Sequence, residues 1–350
     1  MRKIPAALKA ALYLPGIAFE ALIRVRNGLY SAAWLSPNRL PRPVISVGNI
    51  TMGGSGKTPL TIHIAQTLAQ QGFKPAILSR GYKRSSSNRT HILAPRETVS
   101  SPARTLGDEP AMIQRRFPSA WLGISKDRFL AGNMIAEKQP EAVFILDDGF
   151  QHRKLYRDLD IVILDGSRPL KRNRLFPRGT LREPLSALSR CHAVVINRAS
   201  QGEAGNSIEQ EVLNLHPKVA IFRCDQKIES FVPFSSWSGQ SAQTDQPKSA
   251  FLVAAVGNPE RFEQDIRHLD ISVRGTRFYP DHCWLKMDDW SACVEEARSK
   301  DAEAIIITEK DAIKISQPPD FPLLVAVQAT RISDEKAFEL LLRECIERRF

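Results

Sequence analysis

The chain has 350 residues, 43% of them hydrophobic and 25% charged, a globular composition that excludes a largely disordered or fibrous chain and suggests two domains. Its five cysteines, Cys191, Cys224, Cys283, Cys293 and Cys345, form no CxxC pair, which argues against a disulfide scaffold or zinc ribbon and fits a reducing compartment. A formal net charge of +11 points to an anionic partner: phosphate, nucleic acid or an acidic membrane surface.

The first 35 residues carry Leu8, Leu12, Ile17, Leu22, Val25 and Leu29 at near-helical spacing. Arg2, Lys3, Lys9, Arg24 and Arg26 add positive charge, and Trp34 closes the segment. A basic amphipathic helix of this kind suits the membrane interface. Pro15 is expected to kink or split it. Two alternatives stand beside surface attachment: a secretory signal built on the run Ala10 to Phe19, and an ordinary helix docked on the domain. No apolar stretch reaches the roughly 18 uncharged residues of a spanning helix.

From residue 43 the pattern changes. Val44-Ile45-Ser46-Val47, Ala76-Ile77-Leu78, Val143 to Leu146, Ile161 to Leu164, Ala193 to Ile196 and Ala220-Ile221-Phe222 are short apolar runs separated by helical stretches such as Leu60 to Leu68, or by loops. Buried strands alternating with helices predict a mostly parallel α/β sheet. Ser85-Ser86-Ser87-Asn88 has the composition of a loop tip. Residues 226 to 249 are polar and aperiodic, and are read as a linker or long excursion. A second α/β pattern starts at Phe251-Leu252-Val253. It continues through a helix near Glu260 to His268, the run Ala304 to Ile307 and a closing helix from Ser333 to Arg349.

The sharpest signal is Thr51-Met52-Gly53-Gly54-Ser55-Gly56-Lys57-Thr58, directly after a strand and before a helix. A phosphate chain there meets backbone N–H groups, the positive end of the helix dipole and the Lys57 ammonium. The Thr58 hydroxyl suits Mg²⁺, and Pro59 suits the first helical turn. The usual pattern wants Gly where Thr51 stands. Lys57 is expected to face solvent in the empty loop. A P-loop also needs an acidic strand end for the metal or its water shell. Asp147-Asp148 and Asp165 both qualify, and the paired carboxylates favour the first.

The chain resembles the tetraacyldisaccharide 4'-kinase family, the lipid A 4'-kinases, through blocks in family order. These are Gly53-Gly54-Ser55-Gly56-Lys57-Thr58-Pro59, Ser79-Arg80-Gly81-Tyr82, Gly107-Asp108-Glu109-Pro110, Asp147-Asp148-Gly149-Phe150-Gln151-His152, Leu181-Arg182-Glu183-Pro184, Tyr279-Pro280-Asp281-His282 and Thr308-Glu309-Lys310-Asp311. The resemblance implies transfer of the ATP γ-phosphoryl to the 4'-hydroxyl of tetraacyldisaccharide 1-phosphate, giving lipid IVA. It implies a P-loop kinase core over residues 36–228, a smaller α/β second domain over 229–350 closing the cleft, and a membrane-associating helix over 1–35. The expected location is the cytoplasmic face of a bacterial inner membrane, peripheral or monotopic, with no nucleic acid and no obligate protein partner.

The resemblance also suggests roles. Lys57 with residues 51–58 would hold the nucleotide, and Thr58 with Asp147 or Asp148 would hold Mg²⁺. Asp108 would take the sugar proton with His282 in support. Read from sequence alone, Asp108 is a helix N-cap before Glu109-Pro110. His282 read the same way is a partly exposed loop histidine. Arg80 and Arg128 are candidates for substrate phosphate or sugar, with a surface salt bridge as the alternative for each. Gln151 and His152 follow the acidic pair into the cleft, and Arg182 and Glu183 are expected on the nucleotide or metal side. A GTP-dependent switch would need Asn/Thr-Lys-x-Asp after a strand. Asn197-Arg198-Ala199-Ser200 lacks the Asp, and in Thr308-Glu309-Lys310-Asp311 Glu309 stands in the wrong place. A nucleic-acid-dependent ATPase rests on the basic charge alone.

Overall fold

Runs of Val, Ile and Leu become strands buried on both faces when helices cover both sides of a parallel sheet. That is what the computed structural model has, over the residues it describes: 13–82, 84, 89–170, 173–198, 204–237 and 244–349. The Ser85 to Asn88 loop tip, and Arg2, Lys3, Leu8, Lys9 and Leu12 of the first helix, lie outside the described residues. In chain order the elements are α1 (Tyr13–Ser31), β1 (Val44–Gly48), α2 (Lys57–Gln70), β2 (Lys74–Ser79), β3 (His91–Leu93), α3 (Pro102–Leu106), α4 (Asp108–Arg116), β4 (Trp121–Ile124), α5 (Arg128–Lys138), β5 (Ala142–Asp147), β6 (Leu159–Asp165) and β7 (Ala193–Asn197). They continue with α6 (Ala204–Leu215), β8 (Ala220–Pro233), β9 (Ser249–Ala254), α7 (Pro259–Arg267), β10 (Ser272–Phe278), α8 (Met287–Ser299), β11 (Ala304–Thr308), α9 (Glu309–Ala312), β12 (Leu323–Ile332) and α10 (Glu335–Glu347).

Among the described residues the strands form one twelve-stranded sheet, ordered β10-β9-β11-β12-β8-β7-β6-β1-β5-β2-β4-β3. Every pairing is parallel except β3 with β4 and β8 with β12. β1 sits between β5 and β6, with Val47 beside Asp147 and Gly48 beside Val162. The carboxyl ends of β1 and β5 therefore share one edge, where α/β sheets bind ligands.

β8 is the seam. Its first residues pair with β7 up to Asn197↔Cys224, and from Cys224 to Pro233 it runs antiparallel to β12. The position 228/229, expected as a domain boundary, falls inside this strand. Residues 226–233 are thus strand rather than linker. Gln226, Ile228, Phe231 and Val232 are buried, while Lys227 and Glu229 face out, and the interleaved charges hid the strand in the sequence.

The closing helix returns to the first half of the sheet. Phe338, Leu342, Cys345 and Ile346 line one face of α10, spaced for a single buried stripe, and join the core around α2 and β1. Phe338 meets Phe222 edge to face at 5.1 Å. Separate cores lie around β9 and β11 in the second half.

α1 is described from Tyr13 and runs without interruption to Ser31, with Pro15 in its first described turn. One face docks: Gly16 and Ile23 are buried, and Phe19 meets Phe176 edge to face at 6.0 Å. The opposite face exposes Leu14, Ile17, Leu22 and Val25, followed by Trp34 at 80% exposure. Among the described residues, no helix is long and apolar enough to cross a membrane.

Candidate active site

The loop after β1 is held from two sides. Met52 N–H donates to Thr180 O (2.7 Å) and Thr51 bridges Leu181, so the Met52 amide, expected to face phosphate, is committed elsewhere. Asn49 donates to Ser55 Oγ (2.8 Å), and Asn197 Nδ2 donates to Ser55 O (3.1 Å) and to Gln226 Oε1 (2.9 Å). Gln226 Nε2 in turn donates to Gly56 O (2.8 Å). Gly56 adopts φ 92°, and a Cβ there would collide with the Gln226 side chain; both facts require glycine. The α2 N-terminus is thereby left pointing at the loop's mouth, a geometry that favours anions. Sequence reading missed Asn49, Asn197 and Gln226. Asn197 was visible only as a failed guanine motif, and Gln226 lay in the supposed linker.

Lys57 does not face solvent. Its Nζ lies 3.6 Å from Asp148 Oδ1, and Arg182 donates twice to the same carboxylate, at 2.8 and 2.9 Å. Desolvation opposes ionisation of Asp148, yet Lys57 and Arg182 outweigh it and hold the carboxyl below its ordinary range. Asp147 is different. It is buried, and accepts from Thr61 (3.2 Å) and Ser79 (3.3 Å). Burial, then the charges of Asp148 and Glu109, push its carboxyl up to about 7 against the pull of Lys57 and the Thr61 hydroxyl. Asp165, the other acidic strand end, turns to Arg168 and Arg261, each at 3.5 Å. Thr58, Asp147 and Asp148 supply hard oxygen donors, the kind Mg²⁺ takes alongside water and phosphate oxygens. No group of three His, Cys, Asp or Glu side chains fit for a metal occurs among the described residues.

Beside this pair, Gln151 donates to Asn49 O (2.8 Å), tying the segment after β5 to the phosphate loop. Arg128, at the start of α5, is buried and donates to His152 Nδ1 (3.1 Å). Burial, with Arg80 adding to it, brings Arg128 down to about 10, which leaves it charged. Burial and then the charges of Arg128 and Arg157 push His152 down to about 3, so its ring is a neutral acceptor. Arg80 is exposed at the end of β2 and acts on both electrostatically.

Glu183 lies away from the phosphate loop. Rather than reaching the nucleotide, its fully buried carboxylate accepts from Arg26 (3.1 Å), Asn27 (2.9 Å) and Arg190 (3.1 Å). Burying a carboxylate requires such partners, and here they fasten α1 to the protein. The Leu-Arg-Glu-Pro block therefore faces two ways: Arg182 to the phosphate loop and Glu183 to the first helix.

Asp108 is not a helix cap. Gly107 holds the N-cap position of α4 and no side chain caps it. The Asp108 carboxylate instead crosses to the second half of the sheet, where Oδ2 lies 2.7 Å from His282 Nδ1 and 3.8 Å from Lys314 Nζ. His282 adopts φ 68°, a left-handed conformation, and donates its amide to Ala255 O (3.3 Å). Residues 174 positions apart are thus brought into hydrogen-bond reach, the distance at which a carboxylate and imidazole work as one unit. Lys314, buried and absent from the sequence reading, carries no local motif that reveals it.

The model of one protein family, tetraacyldisaccharide-1-P 4'-kinase, matches residues 8–347. A tetraacyldisaccharide 4'-kinase of Desulfotalea psychrophila is 36% identical over 93% of this chain and 94% of its own length. One from Syntrophus aciditrophicus is 34% identical over 92% and 89%. A solved structure of LpxK from Aquifex aeolicus in complex with ATP is 28% identical, covering 97% of this chain and 99% of that one, with a TM-score of 0.77. Matches of this identity over nearly the full length of both chains leave one conclusion: the chain belongs to the tetraacyldisaccharide-1-phosphate 4'-kinase family.

Proposed function

We propose that the protein transfers the γ-phosphoryl group of ATP to the 4'-hydroxyl of tetraacyldisaccharide 1-phosphate in lipid A biosynthesis, in the cleft between Lys57 and the Asp108–His282 pair. The observation that carries this reading is the coexistence, in a family member, of a phosphate loop with its lysine on Asp148 and a carboxylate–imidazole pair at 2.7 Å. Phosphoryl transfer asks little covalent chemistry of a protein; it needs positioning and charge. Lys57 and the α2 N-terminus hold the β- and γ-phosphates. Thr58, Asp147 and Asp148 would hold Mg²⁺, which would neutralise charge on the transferring group. Lys57, paired with Asp148 in the structure, would turn to the phosphates when ATP binds, while Arg182 keeps its two bonds to that carboxylate. Asp108 orients the sugar hydroxyl and takes its proton. Arg80 and Arg128 supply cations for the anionic disaccharide, with Gln151 and His152 fixing their surroundings.

The exposed apolar face of α1 supports attachment to an anionic membrane surface, the cytoplasmic face of the inner membrane, where such a lipid resides. The residues 36–228 act as the kinase core and 229–350 supply the second wall of the cleft, with β8 shared between them. The direct test is incubation of purified protein with ATP, Mg²⁺ and tetraacyldisaccharide 1-phosphate, followed by mass spectrometry. The expected product carries one added phosphate, absent without ATP and absent with Lys57→Ala. Unchanged lipid with a folded, ATP-binding protein would overturn the reading.

A further inference from the structure

The Thr308-Glu309-Lys310-Asp311 segment takes no part in the chemistry above, yet it faces the Asp108–His282 pair from behind. Lys310 Nζ lies 3.4 Å from His282 Nε2, 2.9 Å from Asp281 Oδ1 and 3.9 Å from Glu109 Oε1. The segment is firmly seated. Asp311 Oδ2 accepts from Thr308 Oγ1 (2.7 Å) and Ala255 N (3.2 Å), and its Oδ1 pairs with the buried Lys314 at 3.1 Å. Ala255 also holds the His282 amide, so the two loops share an anchor.

An ammonium has three donors and no acceptor. The imidazole nitrogen that meets Lys310 therefore accepts, and the single proton of the neutral ring lies on Nδ1, the nitrogen 2.7 Å from Asp108 Oδ2. The other groups around the ring are the Tyr82 ring, edge-on at 6.0 Å, and Asp281 Oδ2, 3.7 Å from Nε2. Asp281 acting alone would draw a proton onto Nε2. Lys310 neutralises that carboxylate and occupies the position such a proton would point to. The contacts of Asp108 to His282 and Lys314 both fall on Oδ2.

We propose that Lys310 is a positioning residue that holds His282 as the neutral Nδ1–H tautomer, so that the imidazole donates to Asp108 and the sugar proton goes to the carboxylate. This assignment rests on the kinase reading for its consequence but not for its geometry, and tautomer and turnover can be measured separately.

The test uses full-length protein labelled with ¹⁵N-histidine, with the His282 signals identified by their loss in His282→Gln. Long-range ¹H–¹⁵N spectra are expected to show a protonated Nδ1 and an unprotonated Nε2. Lys310→Arg keeps that pattern, because guanidinium also only donates. Lys310→Met shifts the proton toward Nε2 and Asp281, and lowers kcat roughly 10-fold, well short of the ~10²–10⁴ that general-base assistance is worth, with KM for ATP unchanged. A protonated Nε2 in the wild-type protein, or an unaltered pattern in folded Lys310→Met, overturns the role of Lys310. The expected tautomer in a protein that transfers no phosphoryl group would overturn the kinase reading and leave the tautomer assignment standing.

Discussion

Asp147 is a carboxylate whose charge costs the fold stability. Burial and the charges of Asp148 and Glu109 push it up to about 7, whereas an unfolded chain ionises Asp near 3.9. Below about pH 4 both states are protonated and the group contributes nothing. Between about pH 4 and pH 7 the unfolded chain has lost the proton while the folded protein keeps it, so stability falls as pH rises. Above about pH 7 both are ionised and the penalty is complete. An upward displacement of about three pH units at ~1.4 kcal/mol each gives at most about 4 kcal/mol. Asp147→Asn removes the charge at little change of shape. In EDTA, the variant is expected to unfold at a higher temperature than wild type at pH 8, with the gap narrowing steadily toward pH 4. Thermal unfolding followed across that range measures it. A variant no more stable than wild type at pH 8, or a gap independent of pH, refutes the reasoning. If Asp147 holds Mg²⁺ as proposed, the same variant is expected to lose phosphoryl transfer.

His152, pushed down to about 3, runs in the opposite direction: the folded protein resists a proton the unfolded chain accepts, so this contribution is present above about pH 6.5 and lost as pH falls toward 3. The stability of His152→Gln relative to wild type should therefore rise over that window, as acid unfolding curves will show. Glu183→Ala leaves Arg26 and Arg190 around an empty buried site, expected to cost roughly 3–5 kcal/mol and to speed hydrogen exchange in α1; unchanged exchange would remove Glu183 from its fastening role. Glutamate at Leu22 and Val25 on the exposed face of α1 is expected to weaken binding to anionic vesicles at least ~10-fold, given ~1.5–3 kcal/mol per buried side chain, without altering unfolding; undiminished co-sedimentation would count against membrane attachment.

The apolar runs of β1, β2, β5, β6, β7, β9 and β11 were legible because doubly covered strands need uninterrupted hydrophobic sequence. The half-covered stretch of β8 beyond Cys224 was not, since its exposed positions carry Lys and Glu and dilute the signal. The phosphate loop was legible because its chemistry is local in sequence. What escaped was everything set by tertiary approach. Nothing near residue 226 announces that Gln226 will support Gly56, and nothing near residue 314 announces a lysine beside Asp108. Arg182 and Glu183, adjacent in sequence, sit in a bend and reach different structures, Arg182 the Asp148 carboxylate and Glu183 the first helix. Asp108 illustrates the limit most clearly. Its local context reads as a helix cap, whereas His282 reaches it through tertiary approach: β8 pairs with β12, and Arg116 of α4 bonds Glu309 and Gln328.

The central claim is that Asp108 and His282 act as one unit on the sugar hydroxyl. The measurement that tests it most directly is a double-mutant cycle on kcat with tetraacyldisaccharide 1-phosphate and saturating ATP. Asp108→Ala should lower kcat by at least ~10²-fold, His282→Ala by less, and the double variant should be little worse than Asp108→Ala, because groups acting together are not additive. Fully additive losses, or near-normal turnover by folded Asp108→Ala, would contradict the account.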